Sequence, residues 1–450
     1  MTSPTAALAE FGATLSFESL PEDIVGKATD AVLDTVGVAI FGAGLPWSRM
    51  IIDYATLYGG GGSSSIMGTP HRVQAPLAAL ANGALAHGFE MDNLRQPSAG
   101  VHAGSTLVPA MFAIGEEVGA SGRDALTAFV AACEVMARIG VAADNTAEKL
   151  GFHSPGLTGT FGSAIVAGRL LGLDAKGMVN AFGIAGSLCS GLLAFSKAGN
   201  GGMVKRLHAG RASEGGVLAA RLAANGFEGP TTVLEGRFGF FDTFTREPKM
   251  DRLLDGLGTD WEIGRLCIKC YPCHVTAHTP VRALEELKAE HGFSADAVDR
   301  IEVATSEKVL SHHDILEPQD IAGAQYSLPF CLGVALVRDP KDPKSFLADP
   351  HADPQIQAVA RKVRLSLNPE SLLPGGSLAT RMKVVLKDGR SLEIARRDFK
   401  GTPSNPMSEA ELDQKFLTLS EGLGVEPSRR QLAALRHLPE LTAVREVFAA

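Results

Sequence analysis

The sequence predicts a mainly α-helical protein with a smaller α+β region, and three observations lead to this fold class. Apolar residues recur at spacings of three and four through most of residues 1–264, which is typical of helices. Alternating apolar and polar residues, typical of strands, appear between residues 300 and 394. A helical pattern returns after Pro406, where Ser408 and Glu411 have the spacing of a capping box.

The breaks between the predicted helices contain Gly, Pro or Asn, which end helices or turn the chain. Leu20-Pro21-Glu22-Asp23 marks a helix start, because proline fits the first turn and acids favour the positive helix end. We predict helices before residue 15 and over 20–41, 47–58, 74–87, 105–118, 125–141, 159–171, 176–191, 209–225, 275–291 and 321–337. We predict strands over 300–305, 380–386 and 391–394, the last two as a hairpin around Asp388-Gly389.

Composition narrows the functional classes. With 450 residues, of which 45% are hydrophobic, the chain is long enough for two or three domains and too apolar for disorder. The net charge of −8 and the lack of a Lys/Arg run argue against a nucleic-acid partner. We find no signal-peptide pattern and no run of about 18 apolar residues, so we expect a cytoplasmic protein without a membrane span. Its six cysteines should then be reduced.

Three Gly- or Pro-rich breaks carry histidines that are candidates for chemistry, because loops on a rigid scaffold hold most functional residues. Residues 90–104 combine carboxylates with Arg95 and His102, and residues 151–156 place His153 before a helix start. Residues 199–210 combine glycines with Lys205, Arg206 and His208, which suits close approach to an anionic ligand. Ordinary solvated loops and a plain helix cap are the alternatives.

A fourth candidate is the stretch Cys267-Ile268-Lys269-Cys270-Tyr271-Pro272-Cys273-His274, followed by His278. Its spacing resembles an iron–sulfur or zinc ligand run. A cluster would need a fourth thiolate, and the adjacent Cys273 and His274 would strain a tetrahedral zinc site, so we predict no metal. We favour a strand that brings Lys269 and His274 to a binding site. We find no Walker motif, G-x-G-x-x-G fingerprint or G-x-S-x-G elbow.

Together these segments resemble the MmgE/PrpD family over residues 5–445. The similarity is carried by Leu33-Asp34-Thr35-Val36-Gly37, Ala86-His87-Gly88-Phe89-Glu90-Met91-Asp92, Val101-His102-Ala103-Gly104, the His153 loop, Gly162-Ser163-Ala164, Lys205-Arg206-Leu207-His208-Ala209-Gly210, Lys269-Cys270-Tyr271-Pro272-Cys273-His274 and Gln325-Tyr326-Ser327. That family includes 2-methylcitrate dehydratase, cis-aconitate decarboxylase and iminodisuccinate epimerase.

The resemblance implies a large helical domain, residues 1–264 and 405–450, with a smaller α+β lid domain inserted at 265–404. It also implies a homodimer, a small di- or tricarboxylate substrate bound between the domains, and no cofactor. The catalytic residues implied are His102, His153, Lys205, Lys269, His274 and Tyr326. The substrate-binding residues predicted alongside them are Asp92, Arg95, Ser154, Arg206 and His208.

This set suits removal of a proton next to a carboxylate, because lysines stabilise the developing negative charge and a near-neutral histidine is a suitable base. Many relatives read Asp-Asp-Thr-His where this chain has Asp92-Asn93-Leu94-Arg95, which lacks the second acid and the threonine and adds a cation. We therefore favour an iminodisuccinate epimerase. A 2-methylcitrate-type dehydratase, a cis-aconitate-type decarboxylase, a zinc lyase and a non-catalytic carboxylate-binding protein are the alternatives.

Overall fold

The computed structural model describes residues 3–196, 202–347, 353–373 and 375–449. The chain divides into a helical unit, which comprises residues 1–88, 92–267 and 408–450, and an α+β unit, which comprises residues 89–91 and 268–407. The sequence-based boundaries were 264/265 and 404/405, and the short segment 89–91 was not predicted to join the second unit.

The helical unit is a bundle of mostly buried helices, as their apolar faces predict. Its helices are α1 (Pro4–Thr14), α2 (Glu22–Ala43), α3 (Pro46–Tyr58), α4 (Ala75–Ala86), α5 (Ala103–Val118), α6 (Gly122–Ala143), α7 (Thr146–Lys149), α8 (Ser154–Leu170), α9 (Ala175–Leu188), α10 (Val204–Ala224), α11 (Phe240–Phe244), α17 (Glu409–Leu419) and α18 (Val425–Arg436). Short antiparallel pairs join β1 (Ser64–Ser65) to β2 (Arg72–Val73), and β3 (Leu94–Arg95) to β4 (Leu266–Cys267). Three of these four strands precede residue 265, where no strand was predicted.

Glycines allow α10 to pack closely against α4 and α8. A Cβ atom added at Gly210 would lie 2.2 Å from the Leu80 carbonyl oxygen of α4, and one at Gly216 would lie 2.4 Å from Cβ of Ser163 in α8. Both distances are shorter than any real contact, so only glycine fits at either position. Close helix packing therefore depends on small residues here, and it fixes α10 beside the C-terminal end of α4.

The α+β unit contains a four-stranded sheet covered by helices. Strand order is β6 (Val363–Leu367), β5 (Val298–Thr305), β7 (Thr380–Leu386), β8 (Ser391–Arg396), with β5 and β6 parallel and the other neighbours antiparallel. The helices are α12 (Val275–His291), α13 (Glu307–His312), α14 (Ile321–Tyr326), α15 (Leu328–Val337) and α16 (Pro354–Ala360). The predicted hairpin is confirmed, and Gly389 adopts φ +91° in its turn.

Two sequence predictions need correction in this unit. The helix predicted over 321–337 is two helices, because Ser327 leaves helical geometry and its hydroxyl accepts a hydrogen bond from the backbone N–H of Phe330 at 3.0 Å. The parallel strand β6 was missed because its pairing with β5 connects residues about 60 positions apart in the chain, which local patterns do not encode.

One helix within the described ranges, α6, is long and apolar enough to cross a membrane by length and composition, and the bent pair α2 and α3 passes the same test together. This window test tolerates charged residues, so it differs from the expectation that the sequence has no uninterrupted run of about 18 apolar residues. However, 94% of the apolar window of α6 is buried in the protein. Its Glu134 and Arg138 form a buried ion pair at 2.7 Å. We therefore interpret α6 as a core helix of the bundle.

Candidate active site

A hydrogen-bonded trio of two histidines and an aspartate lies between the end of α4 and the start of α5. One carboxylate oxygen of Asp92, Oδ2, lies 2.8 Å from Nδ1 of His87 and 2.7 Å from Nδ1 of His102. The Ser105 hydroxyl donates a third hydrogen bond to the same oxygen at 3.0 Å. His87 and Asp92 are buried, whereas 16% of the His102 side chain is exposed. His102 is thus the member of the trio that solvent or a ligand reaches most easily.

A second layer of polar contacts fixes the loop that carries Asp92. The Asn93 amide donates to Asp34 and Thr35 of α2, both at 3.0 Å, and its carbonyl oxygen accepts the backbone N–H of Gly104 at 2.9 Å. Lys415 of α17 forms an ion pair with Asp34. Burial raises the pKa of Asp34, and the nearby Lys415 charge opposes that shift. This network ties α2, α17 and the first turn of α5 to the trio.

His153 and His208 form a second histidine pair in the helical unit. His153 immediately precedes α8, and its Nδ1 lies 3.0 Å from Nδ1 of His208 on α10. The His153 ring also lies 5.7 Å from the His87 ring, centre to centre. Burial lowers the pKa of His153 well below its usual value, and it lowers the pKa of His208 with help from the Lys205 charge. Both rings are therefore neutral near pH 7, and in their contact the Nδ1 of one ring donates a hydrogen bond to the Nδ1 of the other.

His87 was not among the predicted site residues, although it stands in the quoted motif. Burial lowers its pKa to about 3, against the favourable Asp92 carboxylate and with a smaller unfavourable effect from Lys205. The sequence signal that could have identified it is its position at the end of α4, five residues before Asp92. Ser105 and Asn93 were missed because only the folded chain brings their side chains to Asp92 and α2.

Two predicted substrate-binding residues, Arg95 and Arg206, have partners within the helical unit. Arg95 forms an ion pair with Glu262, and its Nη1 donates to the Pro97 carbonyl oxygen at 2.6 Å. Arg206 donates from Nε to the Gly88 carbonyl oxygen at 3.0 Å and lies 4.1 Å above the Trp47 ring. These contacts engage both guanidinium groups within the protein, and a role of either residue in substrate binding stays a prediction. Of the cations in this segment, Lys205 is partly buried and acts electrostatically on His87 and His208.

Ser154 and the start of α8 are placed by a glycine. Ser154 is buried at the first position of the helix, and a Cβ atom added at Gly100 would lie 2.1 Å from its Cβ. Gly100 also adopts φ +65°, which disfavours other residues. The predicted loop 199–210 is only partly described, since Gly199, Asn200 and Gly201 lie outside the described residues.

The α+β unit holds a separate polar cluster around Lys269. The Lys269 ammonium lies 3.1 Å from Oε2 of Glu90, and the Tyr326 hydroxyl donates to Oε1 of Glu90 at 3.4 Å. The Tyr326 ring packs against His274, and His274 against His313, with ring centres 4.9 and 4.3 Å apart. Three predicted site residues, Lys269, His274 and Tyr326, thus lie close together. The sequence placed Glu90 in the candidate loop but did not identify it as their partner.

The structure offers one candidate group of metal ligands within the described ranges, His87, Asp92 and His102, whose ligand atoms lie within 4.8 Å of one another. Hydrogen bonds from both rings to Asp92 account for this spacing. The Cys267–His278 stretch forms no such group among the residues described. Its cysteines are free thiols, and burial raises the pKa of Cys273 well above its usual value.

Comparison with known proteins matches both halves of the chain to one family. The MmgE/PrpD N-terminal domain matches residues 6–253, and the MmgE/PrpD C-terminal domain matches residues 271–440. The chain belongs to the MmgE/PrpD family. It is accordingly an enzyme of that family, as the resemblance of its motifs predicted.

Its curated relatives include three cis-aconitate decarboxylases. The enzyme of Aspergillus terreus (strain NIH 2624 / FGSC A1156) is 29% identical, and the match covers 99% of this chain and 95% of that protein. The Mus musculus enzyme is 26% identical over 89% of this chain and 83% of its own length. The Homo sapiens enzyme is 26% identical over 88% and 83%, respectively.

Proposed function

We propose that this enzyme moves a proton to or from the carbon next to a carboxylate of a small polycarboxylate substrate. The observation that carries the proposal is the Asp92–His102 pair, in which a buried carboxylate holds the Nδ1 side of a more exposed imidazole at 2.7 Å. A carboxylate that receives Nδ1–H leaves Nε2 of His102 with a lone pair. This is the arrangement by which a carboxylate orients a histidine base.

Each residue of the helical unit then has a defined task. His102 accepts or delivers the proton at Nε2, and Asp92 stabilises the imidazolium that forms. His153, neutral because burial lowers its pKa, is the second proton carrier. Lys205 supplies positive charge for the carboxylate beside the reacting carbon, where negative charge develops in the transition state. Lys269, His274 and Tyr326 stay predictions as further groups of the site.

Decarboxylation of a cis-aconitate-like acid is the reaction that the relatives favour. In it, a carbon–carbon bond breaks and its electron pair forms a new double bond as CO2 leaves. The original double bond shifts, and its electrons take up one proton at a carbon that carries another carboxylate. The reaction therefore needs one proton donor and no base, and His102 in its protonated form meets that need.

Epimerisation of iminodisuccinate is the second candidate. It uses the same proton step twice, because one group removes the proton from Cα and another returns it on the opposite face. The preference for it rested on Asn93, Leu94 and Arg95, which replace residues common in relatives. In the structure Asn93 donates to Asp34, Arg95 pairs with Glu262 and Leu94 is buried. These contacts by themselves favour neither epimerisation nor decarboxylation. Dehydration of a 2-methylcitrate-like acid starts with the same proton removal.

The test is turnover in D2O of cis-aconitate, iminodisuccinate stereoisomers, 2-methylcitrate and citrate, each followed by NMR. Loss of CO2 with one deuterium in the product identifies a decarboxylase. Interconverting stereoisomers with deuterium at Cα identify an epimerase, and a new vinyl signal without CO2 loss identifies a dehydratase. Binding of these acids without reaction or deuterium exchange would contradict the proposal and leave a non-catalytic carboxylate-binding protein. His102→Asn serves as the inactive control for each reaction.

A further inference from the structure

His87 is a buried histidine to which the proposed mechanism gives no task. Its side chain is 1% exposed, and its Nδ1 lies 2.8 Å from the Asp92 oxygen that His102 also uses. Its other ring nitrogen, Nε2, is buried and has no hydrogen-bond partner among the residues that the structure describes. Burying a ring nitrogen without a hydrogen bond lowers the stability of the folded protein. We therefore expect His87 to have a function that offsets this loss.

The contacts determine which nitrogen of His87 carries the proton. An ionised carboxylate only accepts hydrogen bonds, so Nδ1 of His87 donates to Asp92. The ring is neutral, because burial lowers its pKa to about 3, and Nε2 therefore holds a lone pair. Asp92 Oδ2 thus receives N–H from two imidazoles and O–H from Ser105. These donors compete for the charge of one oxygen.

We propose that His87 is a positioning residue that controls, through the shared Asp92 oxygen, how strongly His102 holds its proton. The hydrogen bond from His87 reduces the negative charge that Asp92 offers to His102. Without that bond, Asp92 attracts the His102 imidazolium more strongly, and His102 keeps its proton to higher pH. The inference rests on the proposed function, in which His102 is the proton carrier.

Other charged and titratable groups of the helical unit also act on this cluster. Lys205 acts from α10, and His153, which contacts His208, acts from the start of α8. Asp34 acts from α2, where it pairs with Lys415 of α17. A substitution at residue 87 changes none of these side chains. A difference between variants at residue 87 therefore reports the hydrogen bond to Asp92.

Three variants separate the two nitrogens of His87. The amide nitrogen of Asn occupies the place of Nδ1, that of Gln the place of Nε2, and Leu provides neither. We would label histidine rings with 13C and follow the His102 signal against pH, identifying it among the 12 histidines by its loss in His102→Asn. His87→Leu should raise the midpoint of the His102 titration by about one pH unit, the size expected from a charge-assisted hydrogen bond. His87→Asn should restore the wild-type midpoint, and His87→Gln should not.

Equal midpoints in His87→Asn and His87→Gln would overturn the proposal, and this comparison remains decisive if His87→Leu does not fold. Ser105→Ala, which removes another donor to the same oxygen, should shift the midpoint in the same direction. In the pH profile of kcat/KM the limb that reports His102 should move upward in His87→Leu and return in His87→Asn. This is the alkaline limb if His102 donates a proton and the acid limb if it removes one. The NMR titration needs no substrate, so failure of every substrate in the wild-type enzyme would refute the proposed function while leaving the His87 inference testable.

Discussion

At the scale of single residues, burial determines what each histidine of the helical unit can do. His87 and His153 are buried and neutral, whereas His102 is partly exposed beside the same Asp92 carboxylate. A histidine without its proton can accept one, and a carboxylate partner makes that proton stable once bound. The three rings therefore differ in burial and in their charged neighbours although their covalent structure is the same.

His153→Ala should lower kcat by about 10²-fold or more if His153 carries a proton. The ring is buried beside His208, and alanine leaves no titratable group in its place. The measurement is steady-state turnover of whichever acid the NMR panel identifies. His71→Ala is the matched control, since His71 is exposed and outside the cluster. A wild-type kcat in His153→Ala would remove His153 from the mechanism.

Glu90→Gln should destabilise the protein by about 3 kcal/mol, because it removes the negative charge that lies 3.1 Å from the buried Lys269 ammonium. Urea unfolding of the two proteins measures this difference. Asp53→Asn is the control: Asp53 pairs with Arg49 at the surface, where solvent screens the charges. We expect Asp53→Asn to unfold at the same urea concentration as the wild type. Similar effects of both substitutions would contradict the prediction that the buried Glu90–Lys269 pair matters more for stability than a surface pair.

At the scale of elements, helix starts position the histidines. His102, His153 and His274 each stand directly before a helix, α5, α8 and α12 respectively. A residue in that position lies outside the regular helix and is held by the first turn that follows it. Backbone hydrogen bonds hold the loops before α5 and α8, since the Arg95 N–H donates to Val101 and the His153 N–H to Gly191, both at 3.0 Å. Small shifts of a helix start should therefore move a functional ring.

Gly100→Ala should lower the free energy of unfolding by about 2 kcal/mol more than Gly119→Ala does. Both glycines adopt a positive φ, +65° and +70°, so both substitutions carry the same backbone strain. An added Cβ meets Ser154 at Gly100, but nothing lies within 4 Å at Gly119. The difference in unfolding free energy isolates the contact at the start of α8. Equal losses would mean that this contact does not hold the helix in place.

At the scale of the whole molecule, the buried neutral histidines should make the protein sensitive to acid. Folding lowers the pKa of His87 from 6.5 to about 3. Between these two pH values His87 therefore binds a proton in the unfolded chain but not in the folded protein. Stability is then present above pH 6.5 and is lost as the pH falls towards 3, by about 1.4 kcal/mol per pH unit for one such histidine. Raised carboxyl pKa values, as at Asp34, act in the opposite sense.

Unfolding free energies of the wild type and His87→Asn, measured between pH 7 and 5, test this linkage. Asn does not titrate, so the unfolding free energy of the variant should fall less steeply with decreasing pH than that of the wild type. The difference in slope should correspond to the uptake of about one proton on unfolding. Parallel curves for the two proteins would show that His87 is protonated in the folded state as readily as in the unfolded state.

The homodimer implied by the family resemblance stays a prediction for the whole molecule. Light scattering during size-exclusion chromatography should give a mass twice the 47.1 kDa of one chain. The comparisons with the family and with the relatives are made between single chains and carry no information on the oligomeric state. The measured mass therefore tests the dimer independently of them. A mass of one chain at micromolar concentration would refute the prediction.

The sequence alone determined the fold class, most helix positions and the family. Helices such as α12 and the β7–β8 hairpin depend on local spacing, capping and turn residues, all of which lie within a few positions of one another. The motifs around His102, His153, Lys205 and Lys269 identified the family for the same reason, since each is a short contiguous segment.

Only the tertiary structure determined which of these residues share a partner. Arg95 reaches Glu262, Asn93 reaches Asp34, and Glu90 reaches Lys269, and in each pair the residues are far apart in sequence. The role of His87 likewise follows from its burial and from the single Asp92 oxygen that it shares with His102. Charge, tautomer and proton affinity depend on such neighbours, and chain spacing does not encode which distant side chains folding brings within 3 Å.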